Sequence, residues 1–490
     1  MVCHHIALIT AEFAPLASTG GLGDMVSGLA TTLHQSGVST RVVFPRYACV
    51  PRFSAPSWSH HGRVRLGSQI LDFYAEEGVG PHGGPLLLID IPTLFDRPGL
   101  YGDVQGEYRD NGPRFLAFGR AALAALMARG APIDAIHLHD WHAAPIAAWL
   151  RTTPQAYAPL QSARTLLTIH NLGYQGLCPA RDFGLLELPP AYFTPRCFEF
   201  YGQLNLLKAG ILCADALSTV SPNYAREILT PEFGCGLDGV LRTRAADLVG
   251  ITNGIDTAAW DPTSSAHLPA HFSGTDLQGK AACKAALQKE FGLPPSPEVP
   301  LFCVVGRMAH QKGTDLLLEA IAGSNGTPQQ WILLGRGDRA FEARAQALAL
   351  ARPERVHVQL DFQIRLAHQI TAGSDFTCMP SRFEPCGLQQ LYGQRYGTIP
   401  VARAVGGLRD TVRDLETAQA TGVLYGGPTV ADLRGALHRA LEIYRRPAAW
   451  AALQRAAMAQ DFSWSEAVLS YRRWYARVLA APPHRFSGRI

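Results

Sequence analysis

The chain has 490 residues, a formal net charge of +4, 47% hydrophobic and 17% charged residues, and five lysines against 39 arginines. Charges of both signs in near balance exclude the one-sided basic surface of a nucleic-acid or anionic-membrane binder, and this apolar content excludes wholesale disorder. The length exceeds one ordinary core and predicts two or three large domains. Ten cysteines without a CxxC pair predict free thiols in a reducing cytosol rather than a zinc site or a redox pair. Residues 1–10 carry no basic n-region, and no run of about 18 apolar residues occurs. The expectation is a cytoplasmic protein with no membrane span.

In chain order, Ile6–Thr10 reads as a buried strand, followed by the glycine-rich loop Pro15–Gly23 and the amphipathic helix Asp24–Ser36, with Gly37 as its stop. Strands follow at Thr40–Phe44, at Ala135–Leu138 before His139-Asp140-Trp141-His142, and at Thr165–Ile169 before His170-Asn171. A Pro-, Ser-, Gly- and His-rich stretch, Asp256–Pro300, holds one helical patch at Lys280–Phe291 and marks a domain boundary near residue 260. The same grammar then returns. Leu301–Val305 runs into the loop 306–313 and the helix Thr314–Ala322. Trp331–Leu334 runs into Gly335–Asp338, and Phe376–Met379 into Pro380–Glu384. Strands alternating with helices predict an α/β protein with two parallel, doubly wound sheets. Ligands in such sheets sit beyond the carboxyl ends of the strands, where every one of these loops lies, so a cleft between two facing domains is expected. From Pro482 the tail reads as frayed.

The first loop lacks the third glycine of a dinucleotide fingerprint, because Val26 stands there, and the next strand ends without an acidic residue. What remains is a Gly20-Gly21 turn at a helix start, which is either a plain turn or a cradle for a phosphate or sugar. The loop 306–312 has Gln311 where a P-loop needs glycine. Arg307 and Lys312 instead bracket a strand-to-helix loop with two cations, an arrangement suited to a diphosphate. Lysine is rare in this chain, so a compact ammonium at 312 stands out. Glu384 precedes Pro385, which suits a first helical position, so Cys386, Gly387 and Leu388 are expected to present N–H groups in a first turn. The adjacent Gly406-Gly407 turn joins this group. His137, His139, Asp140 and His142 read as a polar strand-end loop rather than a metal site, since Asp140 and His142 fall in the turn.

These segments resemble the bacterial glycogen (starch) synthases, retaining glucosyltransferases with two Rossmann-like domains (GT-B). The resemblance covers residues 5–477 and rests on HDWH (139–142), TIHNLGYQG (168–176), SPNYAREI (221–228), GITNGID (250–256), GRMAHQKGTDLLLEA (306–320), SRFEPCGLQQLYGQRYGTIP (381–400), GGLRDTV (406–412) and DFSW (461–464). It implies an acceptor-side domain over 1–258, a donor-side domain over 259–460, a helix over 461–480 crossing back to the first domain, and a tail over 481–490. It also implies transfer of glucose from ADP-glucose to an α-1,4-glucan, with no cofactor and no metal, in a cytoplasmic protein. Arg307 and Lys312 match the diphosphate-binding cations, Glu384 the carboxylate holding the donor glucose, His170 the histidine beside the transferred sugar, and Asp140 a cleft aspartate. Ser18, Thr19, Gly20, Gly21, Asn171, Tyr174, Gln175, Cys386, Gly387 and Leu388 fall at substrate-binding positions. One departure stands out: the family opens its T-G-G loop with lysine, and this chain has Ser18. Two rival readings therefore stand beside the first. One is a related transferase with another acceptor or a UDP-glucose donor. The other is a binding homologue of reduced activity. Oligomeric state, chain-length preference and regulation are left open by the sequence.

Overall fold

A computed structural model describes residues 4–324, 328–484 and 486. The chain divides into two compact units. The first spans Met1–Val220, Ala225–Gly254 and Trp464–Ile490, and the second Ser221–Tyr224 and Ile255–Ser463. Most of the expected frayed tail, residues 485 and 487–490, lies outside the described residues.

The first unit is built on a nine-stranded sheet. Its order from edge to edge is Leu248–Gly250, Ala216–Thr219, Arg164–Ile169, Ala135–His139, His5–Ile9, Ser39–Pro45, Pro85–Asp90, Gln69–Val79 and Trp58–Leu66. The first seven pair in parallel. Ile6 to Ile9 are all buried, as expected of a strand covered on both faces. The sheet reverses its winding between His5–Ile9 and Ala135–His139, so the turns after those strands open at a switch point.

The last two strands form an antiparallel hairpin that the sequence pattern did not disclose. Trp58–Leu66 presents His61, Arg63 and Arg65 to solvent and buries little apart from Val64 and Leu66. A period-2 apolar signal is therefore nearly absent. The hairpin is held partly by charge, since buried Glu77 accepts from Arg41 at 2.5 Å and Arg129 at 3.0 Å. The helix Trp464–Ala480 belongs to this unit and buries Trp464, Tyr471, Trp474 and Tyr475.

The second unit has a six-stranded, all-parallel sheet ordered Val356–Gln359, Gln330–Leu334, Leu301–Val305, Phe376–Met379, Ile399–Arg403 and Val423–Tyr425. Counted along the chain, this is the doubly wound order 3-2-1-4-5-6, with the switch point between Leu301–Val305 and Phe376–Met379. Alternation divides the core in two. Phe302 stacks on Trp331 at 4.5 Å and on Phe376 at 4.8 Å on one face, while Leu301, Cys303 and Ile332 fill the other. The helix Thr314–Ala322 buries Leu317, Leu318 and Ile321 against the first face. Each such side chain contributes about 1.5–3 kcal/mol before entropy is counted.

Three of the five lysines are buried anchors. Lys208 donates to Pro195 O and Glu199 O, and Lys280 to Ala372 O and Thr398 Oγ1. Lys284 Nζ lies 2.7 Å from Asp375 Oδ2 and Val299 O, 2.9 Å from Tyr444 Oη and 3.1 Å from Pro297 O. A compact ammonium can aim its three protons at several converging buried acceptors. The Lys284→Met substitution would strand the Asp375 carboxylate, and such breaks cost about 3–5 kcal/mol. A denaturant titration of this variant is expected to show a loss of that order, and an unchanged midpoint would contradict the anchor role.

Candidate active site

In the second unit the loops at the switch point bring together the charged side chains Lys312 and Glu384. Gly306–Gly313 leaves strand Leu301–Val305, and Pro380–Leu388 leaves strand Phe376–Met379. The two loops touch where Gly313 stands at φ +68, and a Cβ there would lie 2.0 Å from Pro380 O. Only glycine permits both the left-handed backbone and the contact. Arg382 fixes the same junction by pairing with both oxygens of Asp315, at 2.7 and 2.8 Å, and donating to His310 O. Lys312 Nζ thereby reaches Glu384 Oε2 at 2.6 Å, and Ser381 Oγ donates to the same oxygen at 2.9 Å. Glu384 is 4% exposed, whereas Lys312 remains partly open to solvent. Arg307 is exposed at the start of its loop.

The turn after Glu384 differs from expectation. The helix starts at Gln389, not at Pro385, and spans Gln389–Arg395. Gly387 sits at φ +73, a left-handed conformation that ends any helical path through 385–388. Cys386, Gly387 and Leu388 therefore form an irregular turn. Gln390 Nε2 holds it by donating to Cys386 O at 2.9 Å and Gly387 O at 3.0 Å. Gly406, at φ +45, packs so tightly beneath Glu384 O that a Cβ would lie 1.9 Å away, and Gly407 N donates to that carbonyl at 3.0 Å. The Gly406-Gly407 turn thus supports Glu384 from below.

In the first unit the loop after strand His5–Ile9 is organised by Glu12, which the motif reading passed over. Its buried carboxylate accepts from Thr19 N at 2.7 Å, Thr19 Oγ1 at 2.9 Å and Tyr101 Oη at 2.8 Å. Glu12 is the only acidic residue between Thr10 and Gly23, but nothing in its spacing ties it to these partners. Thr19 is thus spent on Glu12. Ser18 Oγ donates to Gly20 O at 3.0 Å, so its one proton closes a local turn. Gly20 and Gly21 open the helix Gly21–Gln35 with no side-chain cap.

Asp140 stands at φ +56 and is 7% exposed. Its carboxylate accepts from His170 N at 2.7 Å and also from the Asn171 backbone. Burial, with Glu12 nearby adding to it, raises the carboxyl to about 7. Asn171 Oδ1 closes its own turn by accepting from Gly173 N at 3.0 Å, and Tyr174 is exposed. Gln175 is buried as a structural tie, donating to Leu172 O and Cys235 O and accepting from Asn205. His142 stacks against Trp141 and Tyr101 and meets Phe115 edge to face, and His137 and His139 are buried on one face of their strand.

Within the second unit, then, a buried carboxylate, an ammonium and an arginine-bearing loop meet at the switch point. Comparison with known proteins fits this chemistry. Residues 5–243 match the family profile described as starch synthase catalytic domain, and residues 288–456 the glycosyl transferases group 1 profile. The chain is 45% identical over 478 residues to the glycogen synthase of Anaeromyxobacter dehalogenans strain 2CP-1, covering 97% of this chain and 99% of that one. It belongs to the glycogen and starch synthase family. The glycogen synthase 1 of Methylococcus capsulatus is 40% identical, with 97% of each chain covered. The solved catalytic domain of starch synthase IV from Arabidopsis thaliana, bound to ADP and acarbose, superposes with a TM-score of 0.88 at 31% identity over 98% of this chain and 100% of that one. The chain is therefore a GT-B glycosyltransferase that elongates glycogen, drawing on a nucleotide-sugar donor and a glucan acceptor.

The raised Asp140 carboxyl gives a pH signature. Below the unfolded value of 3.8 the group is protonated in both states. Between 3.8 and about 7 only the unfolded chain releases the proton, so this site makes folding less favourable as pH rises. Asp140→Asn removes the titration. Relative to the parent, the variant is expected to gain about 2–3 kcal/mol between pH 5 and pH 7. Melting curves at the two pH values check it, and a difference that does not move with pH would contradict the raised carboxyl.

Proposed function

We propose that the donor is ADP-glucose and that glucose passes with retention to the 4-hydroxyl at the non-reducing end of an α-1,4-glucan. The observation that carries this reading is the 2.6 Å Lys312–Glu384 pair at the switch point, on loops that also bear Arg307. In the reaction the bond from the glucose anomeric carbon to the diphosphate oxygen breaks, and a bond to the acceptor oxygen forms on the same face. The acceptor proton leaves with the departing phosphate oxygen. Arg307 and Lys312 neutralise the charge that grows on the leaving diphosphate, which is where fixed cations lower a barrier most. Glu384 holds the donor glucose, and His170 lies beside the transferred sugar. Asp140 shapes the turn that carries His170. Residues 1–258 take the acceptor side and 259–460 the donor side.

Ser18 tunes this reading. A lysine at that position would add a charge-assisted contact to the donor phosphates, and serine offers only a neutral hydroxyl that already serves Gly20 O. The reading therefore includes weaker donor binding than a lysine-bearing relative would have.

Purified protein incubated with glycogen and either ADP-glucose or UDP-glucose tests the donor. ADP release with glucan growth is expected to dominate, and faster turnover with UDP-glucose would overturn the assignment. Lys312→Ala is expected to lower kcat/KM by about 10²-fold or more, the scale of losing one preorganised charge stabiliser. Unchanged turnover would remove Lys312 from the donor site. Ser18→Lys is expected to lower the donor KM by roughly tenfold, about 1.4 kcal/mol. A KM that stays fixed would show that position 18 does not meet the phosphates.

A further inference from the structure

Behind His170 the first unit holds a stack of histidines that the transfer reaction does not itself use. His139 is wholly buried, and its Nδ1 lies 3.1 Å from His170 Nε2. The ring of His137 backs His139, with centroids 4.3 Å apart. His137 is clamped at both ends, by Tyr475 Oη at Nδ1 (2.9 Å) and Thr168 Oγ1 at Nε2 (2.6 Å), and Thr168 Oγ1 meets Ser218 Oγ at 2.6 Å. The row thus runs from the C-terminal helix Trp464–Ala480 to His170 with little freedom for any ring to turn. Burial lowers the proton affinity of all three rings, His137 and His170 to about 3 and His139 well below its usual value. The histidines are therefore neutral at working pH, and the 3.1 Å contact holds one hydrogen.

Two arrangements satisfy that contact. If His170 Nε2 carried the hydrogen, the proton of His139 would sit on its Nε2. That atom is buried and has no hydrogen-bond partner among the described residues. A buried N–H without an acceptor is rarer than a buried acceptor left unsatisfied, because an orphaned donor loses its hydration with no return. The reverse arrangement leaves only a lone pair on that atom.

We propose that His139 is a positioning residue for His170, with His139 Nδ1–H donating to His170 Nε2, so that His170 is fixed as the tautomer carrying its proton on Nδ1. The proposal rests on reading His170 as the histidine beside the transferred sugar. With the His170 backbone N–H held by Asp140 and the ring held by His139, both the place and the polarity of the side chain are set. His170 then offers the sugar a neutral donor at Nδ1 and does not serve as a base there.

Two measurements test it on the full-length protein. In protein labelled with ¹⁵N-histidine, long-range ¹H–¹⁵N correlations are recorded for the parent and for His170→Ala, which assigns the His170 signals by their loss. A protonated Nδ1 and a bare Nε2 are expected, and a protonated Nε2 would overturn the proposal. The second compares His139→Leu with His139→Asn, side chains of one shape that differ in whether an N–H can reach His170. The Leu variant is expected to lose about 10²-fold in kcat, the scale of a misplaced reacting group, with donor KM little changed. Asn is expected to recover at least about tenfold of that loss. Equal kcat in the Leu and Asn variants, with His170→Ala inactive, would overturn the positioning role alone. Full activity in His170→Ala would instead overturn the reading of His170 itself, and the proposal with it.

Discussion

The ion pair between Lys312 and Glu384 is the constraint on which the switch-point loops of the second unit depend. A carboxylate only 4% exposed is stable as an anion when a cation or several donors face it, and here Lys312 and Ser381 both do. The pair also joins the two loops that leave neighbouring strands at the switch point. Everything nearby serves that junction: Gly313 against Pro380, Arg382 on Asp315 and His310, and Gly406-Gly407 beneath Glu384. On the proposed reading, the partly exposed ammonium facing Glu384 is the group an arriving diphosphate would share.

The first unit solves a different problem by similar means. Its buried carboxylates shape backbone. Glu12 gathers the Thr19 turn and Tyr101, and Asp140 gathers the turn at His170 and Asn171. No lysine stands at position 18 to offset them, and Ser18 turns its proton inward to Gly20 O. The negative charge in this region is thus tempered by burial, which raises Asp140 and also Asp24 above the usual carboxylate range. Arg307 and Lys312, proposed above to face the diphosphate, both lie in the second unit.

Much of the fold was legible in the chain. Strands such as Leu301–Val305 and Phe376–Met379, and the helix Thr314–Ala322, carry continuous apolar runs or helical periodicity, and the structure has each at those bounds. The edge strand Trp58–Leu66 escaped because it buries little apart from Val64 and Leu66, whereas its partner Gln69–Val79 does alternate, with Phe73 and Ala75 buried on either side of exposed Tyr74. Pro385 suggested a helix start that Gly387 prevents, since local proline preference yields to a left-handed residue two positions on. Gln175 looked like a site residue through its neighbours in the motif, yet its amide is spent inside the unit. Glu12 went unread because nothing in its spacing marks a carboxylate whose partners, Thr19 and Tyr101, lie 7 and 89 residues away. The scarcity of lysine proved informative: Lys208, Lys280 and Lys284 sit where several buried acceptors converge, and Lys312 where a buried carboxylate waits.

The most direct test of the central claim is ADP affinity, measured by calorimetry, in the parent, Lys312→Met and Glu384→Gln. If Lys312 is shared between Glu384 and the diphosphate, Lys312→Met weakens ADP binding. Glu384→Gln then tightens it, because the ammonium is released and a negative charge is removed, even as glucosyl transfer is lost. Weaker ADP binding in Glu384→Gln, to the same degree as in Lys312→Met, would contradict the account.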